Sequence, residues 1–525
     1  MRTRTFSRAM IGGVCAVLVL SGATGSAESA GPIVAAGPNA AATCDPENPS
    51  AASDIDGDGR ADVAVGMPLN WNPASVDIRL TGSPSIVMQA SDLGAGNGEM
   101  DSFGEAITVG DLDQDGCADL VIGAPYEGQS AASDGAGGVE GQVHLVFGKA
   151  GGVDTRVSLM LPHDSSRDDH FGAALALQVR YDPATGKNVH DLYVGAPHAT
   201  VNGHRLAGEV FRYTIAPSAT GRVAATLREV RTQDSAGVPG HAEGSDGFGM
   251  VLAATEGGVL VGDPQEAVGK VLDAGALWFL RVNAAGAAIS SRVWTQNSPG
   301  VPGIAETEDG FGKALGVRGL QAVIGVPGEG LGSRNHTGMI QVFTRTSATG
   351  DFKPGKAINQ GTRGIPGRME RSDLFGSAIA VGTALLCPES TDVAVGVPGE
   401  AIGTRRRAGS VVLIQVSGER SCPAKVLRQG SGLSGTAEAH DKVGSVLGLT
   451  QGRNDLAEDG ADRLLIGVPL EDIKGLRAAG IVQSARGGLL VNGVVQPYLT
   501  FSKGYQLASA YGAALSQPAA PRTAR

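Results

Sequence analysis

The sequence predicts an all-β fold: a seven-bladed β-propeller of four-stranded antiparallel blades, with its ring closed by a C-terminal strand that completes the first blade. Three observations carry this expectation. Short apolar runs such as 143–147 and 411–414 are frequent, while stretches of 3.6-residue period are scarce, which is the signature of short strands. A Gly-x-Pro tripeptide closes an apolar run seven times, at Gly66, Gly123, Gly195, Gly262, Gly325, Gly396 and Gly467. A second signature, an aromatic or apolar residue followed by glycine, recurs in step with the first at seven positions, Phe103, Phe171, Phe248, Phe311, Phe375, Val443 and Tyr511.

The strands come first. Eighty glycines and only 4% aromatic residues suggest low complexity, but 42% hydrophobic content is enough to bury a core, so the glycines belong at turns. The repeat comes second. Successive Gly-x-Pro elements lie 57 to 72 residues apart, and a further glycine then opens another apolar strand, as at Gly141, Gly208, Gly338 and Gly409. These elements resemble the FG-GAP repeats of integrin alpha-chain propellers over nearly all of 54–515. The ring comes third. Gly66 has no aromatic-glycine element before it, and Tyr511-Gly512 has no Gly-x-Pro after it. The segment 511–515 also copies 171–175 in all but its first residue. Two matching half-repeats suit a closed ring that hides its edges, whereas an open solenoid needs atypical caps. The expected organisation is a signal peptide at 1–27, a linker at 28–50, the propeller at 51–515 and a tail at 516–525.

Two loops carry the chemistry. Asp54, Asp56, Asp58 and Asp62 repeat the spacing of Asp111, Asp113, Asp115 and Asp119, both reading D-x-D-x-D-G-x-x-D. Alternating carboxylates around a glycine turn converge on one point and suit a hard cation that takes 6–8 oxygens. The backbone carbonyls of Arg60 and Cys117 are the expected fifth ligands, and Ca2+ is the expected ion at these two sites. An EF-hand is the competing reading, but its twelfth-position glutamate is replaced here by Val65 and Ile122. A solvated acidic turn is the other alternative. Blades four and five have only 14 residues between their two signatures, too few for such a loop. Blades three and six keep only the last carboxylate, Asp191 or Asp392. Blade seven keeps Asp455 and Asp459 in register, a weak third site.

The N-terminus is basic, then apolar from Ala9 to Leu20, then rich in small residues up to Ala27, the layout of a secretory signal. Export predicts a secreted, extracellular protein with no membrane insertion, since about a dozen apolar residues cannot cross roughly 30 Å of hydrocarbon; a monomer is the separate expectation, which no sequence feature fixes. The formal charge of −11, or −14 without Arg2, Arg4 and Arg8, argues against nucleic acid as a partner. Past the signal four cysteines remain. Three pairings exist, and the layout favours Cys44 with Cys117 and Cys387 with Cys422.

No G-x-S-x-G, H-E-x-x-H or P-loop motif occurs. His163, His170, His190, His198, His204, His241 and His440 are expected in surface loops, so no catalytic residue is assigned. The resemblance implies an adhesion or ligand-binding module for an extracellular protein or glycan. Its ligand-facing loops would be 126–138, 198–208 and 399–409, the segments expected to vary most, the last holding Arg405, Arg406 and Arg407. The alternative is a secreted hydrolase, phospholipase-like or glycosidase-like, using the propeller as scaffold. Four carboxyls converging on one point do not suit glycoside cleavage, which needs two flanking a cleft.

Overall fold

A computed structural model describes residues 44–45, 53–68, 74–94, 101–128, 141–161, 169–218, 223–450, 462–472, 480–486, 489–495, 514–515 and 517–518. Among them the one helical element is a single 3-10 turn, Ala90–Leu93. The strands form seven sheets of antiparallel neighbours, apart from two short parallel additions, Gly432–Leu433 beside Lys425–Gln429 and Gln517–Pro518 beside Ala106–Gly110. Blade two, for example, holds Ala106–Gly110, Asp119–Ala124, Gln142–Lys149 and Gly152–Met160. The first strand of each blade borders those of the blades before and after it, which arranges the sheets in a ring. Ala514 and Leu515 lie antiparallel to Gly66 and Val65 of blade one. Tyr511 and Gly512, like residues 1–43, lie outside the described residues.

The core follows this ring: each seam between blades holds its own apolar cluster. Phe103 and Ile107 meet Val76 and Ile78 between blades one and two, and Val393 and Val395 meet Val323 and Ile340 between blades five and six. Leu465 and Val482 of blade seven meet Val63, Val65 and Met67 of blade one.

The glycine signatures mark where backbones cross these seams. A Cβ on Gly123, Gly195, Gly262, Gly325 or Gly396 would lie 1.9–2.2 Å from the carbonyl oxygen of Gly172, Gly249, Gly312, Gly376 or Gly444 in the next blade. The glycine that opens the third strand meets the same blade one residue earlier, with Gly338 set against the backbone of Phe375. The phenylalanine ring is fully buried in the seam it starts, as for Phe103, Phe171, Phe248, Phe311 and Phe375. The repeat therefore spells out a packing constraint: aromatic plug, bare backbone, bare backbone.

A second repeat at the seams pairs an amide with a carboxyl. Gln233, Gln296, Gln360 and Gln429 donate to Glu266, Glu329, Glu400 and Glu471 of the following blade at 2.6–2.7 Å. Burial raises these glutamates from 4.5 to about 8 for Glu266 and about 7 for the other three. The native state thus keeps protons that the unfolded chain has already released between pH 4.5 and about 8. The sign follows from linkage: stability present at mildly acidic pH is lost as pH rises through the native values. At fixed saturating calcium, the melting temperature is expected to fall by several degrees from pH 5 to pH 8. Glu329→Gln with Glu400→Gln should flatten that slope. A thermal-melt series that rises with pH over this window would overturn the assignment.

Candidate metal centre

The two aspartate loops occupy one edge of the ring, at the end of the strands that lead into Gly-x-Pro. The fold of each loop is set by its first carboxylate. Asp54 Oδ1 accepts from Gly57 and Asp58 N–H and Oδ2 from Gly59 N–H, at 2.7–3.2 Å. Asp111 accepts from Asp115 and Gly116 N–H at 3.0 and 3.1 Å. These wraps need left-handed backbone at the fourth and sixth positions, where Gly57, Gly59, Gln114 and Gly116 have φ of 62–98°.

Each wrap gathers three carboxylates. Oxygens of Asp54, Asp56 and Asp58 lie within 4.8 Å of one another, as do those of Asp111, Asp113 and Asp115. Asp54 and Asp56 are fully buried, and Asp56 Oδ2 is enclosed with no hydrogen-bond partner. An enclosed carboxylate oxygen without a partner is costly, and a cation supplies what it lacks. Burial and then neighbouring carboxylates raise Asp111 to about 7 and Asp113 to about 6. Burial likewise raises Asp58 and Asp115. Such groups cannot all ionise at neutral pH unless a positive charge joins them. The donor set, hard oxygens alone, fits Ca2+. The sulfurs of Cys44 and Cys117 near Asp115 are joined in a disulfide and offer no thiolate.

The fourth aspartates stand apart from these clusters. Asp62 accepts from Ile55 and Thr81 N–H at 2.8 and 2.7 Å. Asp119 accepts from Leu112, Asp113 and Gly148 N–H at 2.7–3.3 Å. Burial raises Asp62 to about 8 and Asp119 well above the ordinary range. Their main visible task is to fasten the loop base, and Asp392 in blade six does the same for Leu386 and Cys387 N–H. In blade three the corresponding Asp191 is met by Arg180 Nε at 2.5 Å and by Arg212 Nη1 at 3.6 Å, so a guanidinium stands where the other loops gather carboxylates. Asp462 of blade seven contacts Arg318 at 3.3 Å. Asp455 and Asp459 lie outside the described residues.

The backbone N–H of Arg60 and that of Cys117 donate to Asp58 and Asp115, at 2.9 and 2.8 Å. Both expected disulfides form, with Cα separations of 5.0 Å for Cys44–Cys117 and 6.0 Å for Cys387–Cys422. The first loop is also tied to blade two: Ala118 N–H of the second loop donates to the Asp54 carbonyl at 2.7 Å, and Gly151 N–H, from the turn between Gln142–Lys149 and Gly152–Met160, donates to the Asp56 carbonyl at 2.8 Å.

Two sequence expectations need correction. His190, placed in a surface loop, lies inside the strand Lys187–Ala196 and is buried, which lowers it to about 4. The segments 198–208 and 399–409, expected to vary most, share one plan with 266–275 and 329–338. Each is a hairpin closed by a bridge, Val201 to His204, Val268 to Val271, Leu331 to Arg334 and Ile402 to Arg405. Strand polarity puts these hairpins on the face opposite the aspartate loops. Sequence reading also missed the stack of Tyr126, His170 and His198 on that face, with centroids 4.3 and 3.7 Å apart.

Comparison with known proteins agrees with this architecture. The FG-GAP repeat family matches residues 103–146, which run from the Phe103 plug through the second aspartate loop. Integrin alpha-IIb of Homo sapiens is 31% identical over 164 residues, and integrin alpha-5 of Xenopus laevis 31% over 157. Each alignment covers 28% of this chain and 14% of the relative, so the similarity concerns a small part of those proteins. Integrin alpha-6 of Gallus gallus is 30% identical over 161 residues, 29% of this chain and 13% of the relative. A solved structure described as a 6-phosphogluconolactonase of Bacteroides fragilis aligns over 74% of this chain and 95% of its own, at TM-score 0.33 and 11% identity, and carries no argument. The chain is thus a seven-bladed β-propeller that carries an FG-GAP repeat match at 103–146 and is similar, over less than a third of its length, to integrin alpha chains. Among its described residues no helix is long and apolar enough to cross a membrane.

Proposed function

We propose that this chain is a secreted, calcium-stiffened ligand-binding module of the integrin alpha-like type, acting in adhesion to an extracellular protein or glycan. The observation that carries the calcium reading is the pair of three-carboxylate clusters, one of them holding the enclosed, partnerless Asp56 Oδ2. Asp54, Asp56 and Asp58 would hold one ion and Asp111, Asp113 and Asp115 the other. The carbonyls of Arg60 and Cys117 would complete the two shells, and Asp62 and Asp119, whose oxygens keep second lone pairs, would either ligate or brace. Bound calcium supplies the positive charge that lets all six clustered carboxylates ionise together. The loops then become rigid braces beneath the seam between blades one and two. In the same reading the Ala514–Leu515 ladder on blade one closes the ring, and residues 1–27 direct export.

At about 2 mM calcium, two sites with Kd of roughly 10⁻⁴–10⁻³ M would add roughly 1–4 kcal/mol to the folded state. Chelation is therefore expected to lower the melting temperature by several degrees, and Asp56→Asn should remove about half of that response. A melting curve indifferent to calcium, together with no binding heat in titration calorimetry, would sink the calcium part. Screening the calcium-loaded chain against extracellular proteins and glycans tests the ligand-binding part separately. A hydrolase substrate panel run beside it tests the enzyme alternative.

A further inference from the structure

We infer that the cavity between blades five and six, on the face opposite the aspartate loops, is a docking site for an acidic peptide segment of a protein partner. The cavity, about 630 Å³, is lined by Arg334 from the blade-five hairpin and by Arg368 and Arg371 from the segment that leads into blade six. Gln360, Met369 and Glu370 complete its side-chain lining, so three cations face one carboxylate. This local excess of positive charge stands in a chain of net charge −11. It is therefore a feature of this place and not of the surface at large.

The state of the arginines is the telling observation. In another cavity, Arg180 is held by Asp191 and Arg281 by Asp351. Arg334, Arg368 and Arg371 are exposed, and among the described residues no side chain pairs with them within 4.0 Å. The backbone beneath them is fixed: Ser372 and Leu374 N–H donate to the carbonyls of Asn335 and His336 at 3.1 Å. The arginine at the hairpin tip is thereby held against the segment carrying the other two. Neighbouring hairpins extend the charge with Lys270 on blade four and Arg405, Arg406 and Arg407 on blade six, all exposed.

Guanidinium forks match carboxylates in two-pronged hydrogen bonds, and arginine clusters are a recurrent reader of acidic motifs. The lining has no aromatic ring, so a sugar ring finds no apolar platform to stack on, which favours a run of Asp or Glu side chains over an acidic glycan. The inference rests on the reading of this chain as a ligand-binding module and names a partner class for it.

The test uses the full chain and a fluorescein-labelled decaglutamate peptide in anisotropy titrations at 50 mM NaCl. The parent should bind, and 300 mM NaCl should weaken binding through screening. The triple variant Arg334→Glu, Arg368→Glu, Arg371→Glu should lose about tenfold in affinity, the sum of three partly exposed charge pairs. A matched variant elsewhere, Lys187→Glu, Arg228→Glu, Lys353→Glu, should lose less than about twofold. Equal losses in both variants, or binding by a heparin octasaccharide but not by the peptide, would overturn the inference. If the parent ignores the peptide yet captures another extracellular ligand, the inference falls and the module reading stands. If it captures none, both fall. Calcium titration of the triple variant should match the parent and serves as the check on folding.

Discussion

Gly325→Ala is expected to leave little or no folded protein, a loss of at least about 4 kcal/mol, in the range reserved for severe core lesions. The cause is steric. The new Cβ would lie 2.1 Å from the Gly376 carbonyl oxygen and 3.1 Å from the Ala314 Cβ. The first of these is backbone in the neighbouring blade, and Gly376 N–H already donates to the Gly396 carbonyl at 3.0 Å, so relief requires the two blades to separate. Separation in turn opens the apolar seam that holds Ile340, Phe375 and Val395. Gly403→Ala is the control. That glycine has φ of 63° and a Cβ added there would meet nothing within 4 Å, so alanine costs only the left-handed penalty of about 1 kcal/mol. Urea midpoints for the two variants decide the matter: midpoints within experimental error of each other would refute the seam argument.

That contrast also explains what could be read in the chain. The glycine signatures were legible because Gly123, Gly195, Gly262, Gly325 and Gly396 stand where only a bare backbone fits and Phe103, Phe171, Phe248, Phe311 and Phe375 stand where a ring is buried, and residue identity alone records that. The disulfide partners were legible once the repeat frame placed Cys44 just before blade one, Cys117 in the loop of the adjoining blade two, and Cys387 and Cys422 on either side of one strand of blade six. The amide–carboxyl latches were not, because Gln296 and Glu329 are 33 residues apart and Gln360 and Glu400 are 40 apart, and they meet only when blades stack. The Arg334–Arg368–Arg371 cavity was hidden for the same reason. Asp62 and Asp119 show a different limit. Their sequence positions match those of ligands, but their partners in this fold are backbone N–H groups, which no residue type announces.

Removing the Cys44–Cys117 disulfide by the double substitution to serine is expected to cost about 4 kcal/mol, the chain-entropy value for a closed loop of 73 residues. Removing Cys387–Cys422, which closes 35 residues, should cost only slightly less. The two variants should nevertheless differ in calcium binding. Cys117 is the seventh residue of the second aspartate loop, and the backbone of Asp45, next to Cys44, lies 2.4 Å from where a Cβ on Gly116 would stand. The bridge therefore presses the N-terminal segment against the turn that gathers Asp111, Asp113 and Asp115. Because Ala118 N–H donates to the Asp54 carbonyl, loosening the second loop also loosens the first. The Cys44→Ser, Cys117→Ser variant should thus bind calcium more weakly at both sites, by a few-fold or more in calorimetric titration. Cys387→Ser, Cys422→Ser, with its bridge at blade six, should match the parent's calcium affinities despite a similar drop in melting temperature. Equal calcium affinities in all three proteins would mean that the disulfide braces the chain but not the loop, and the coupling between the two aspartate turns would have to be abandoned.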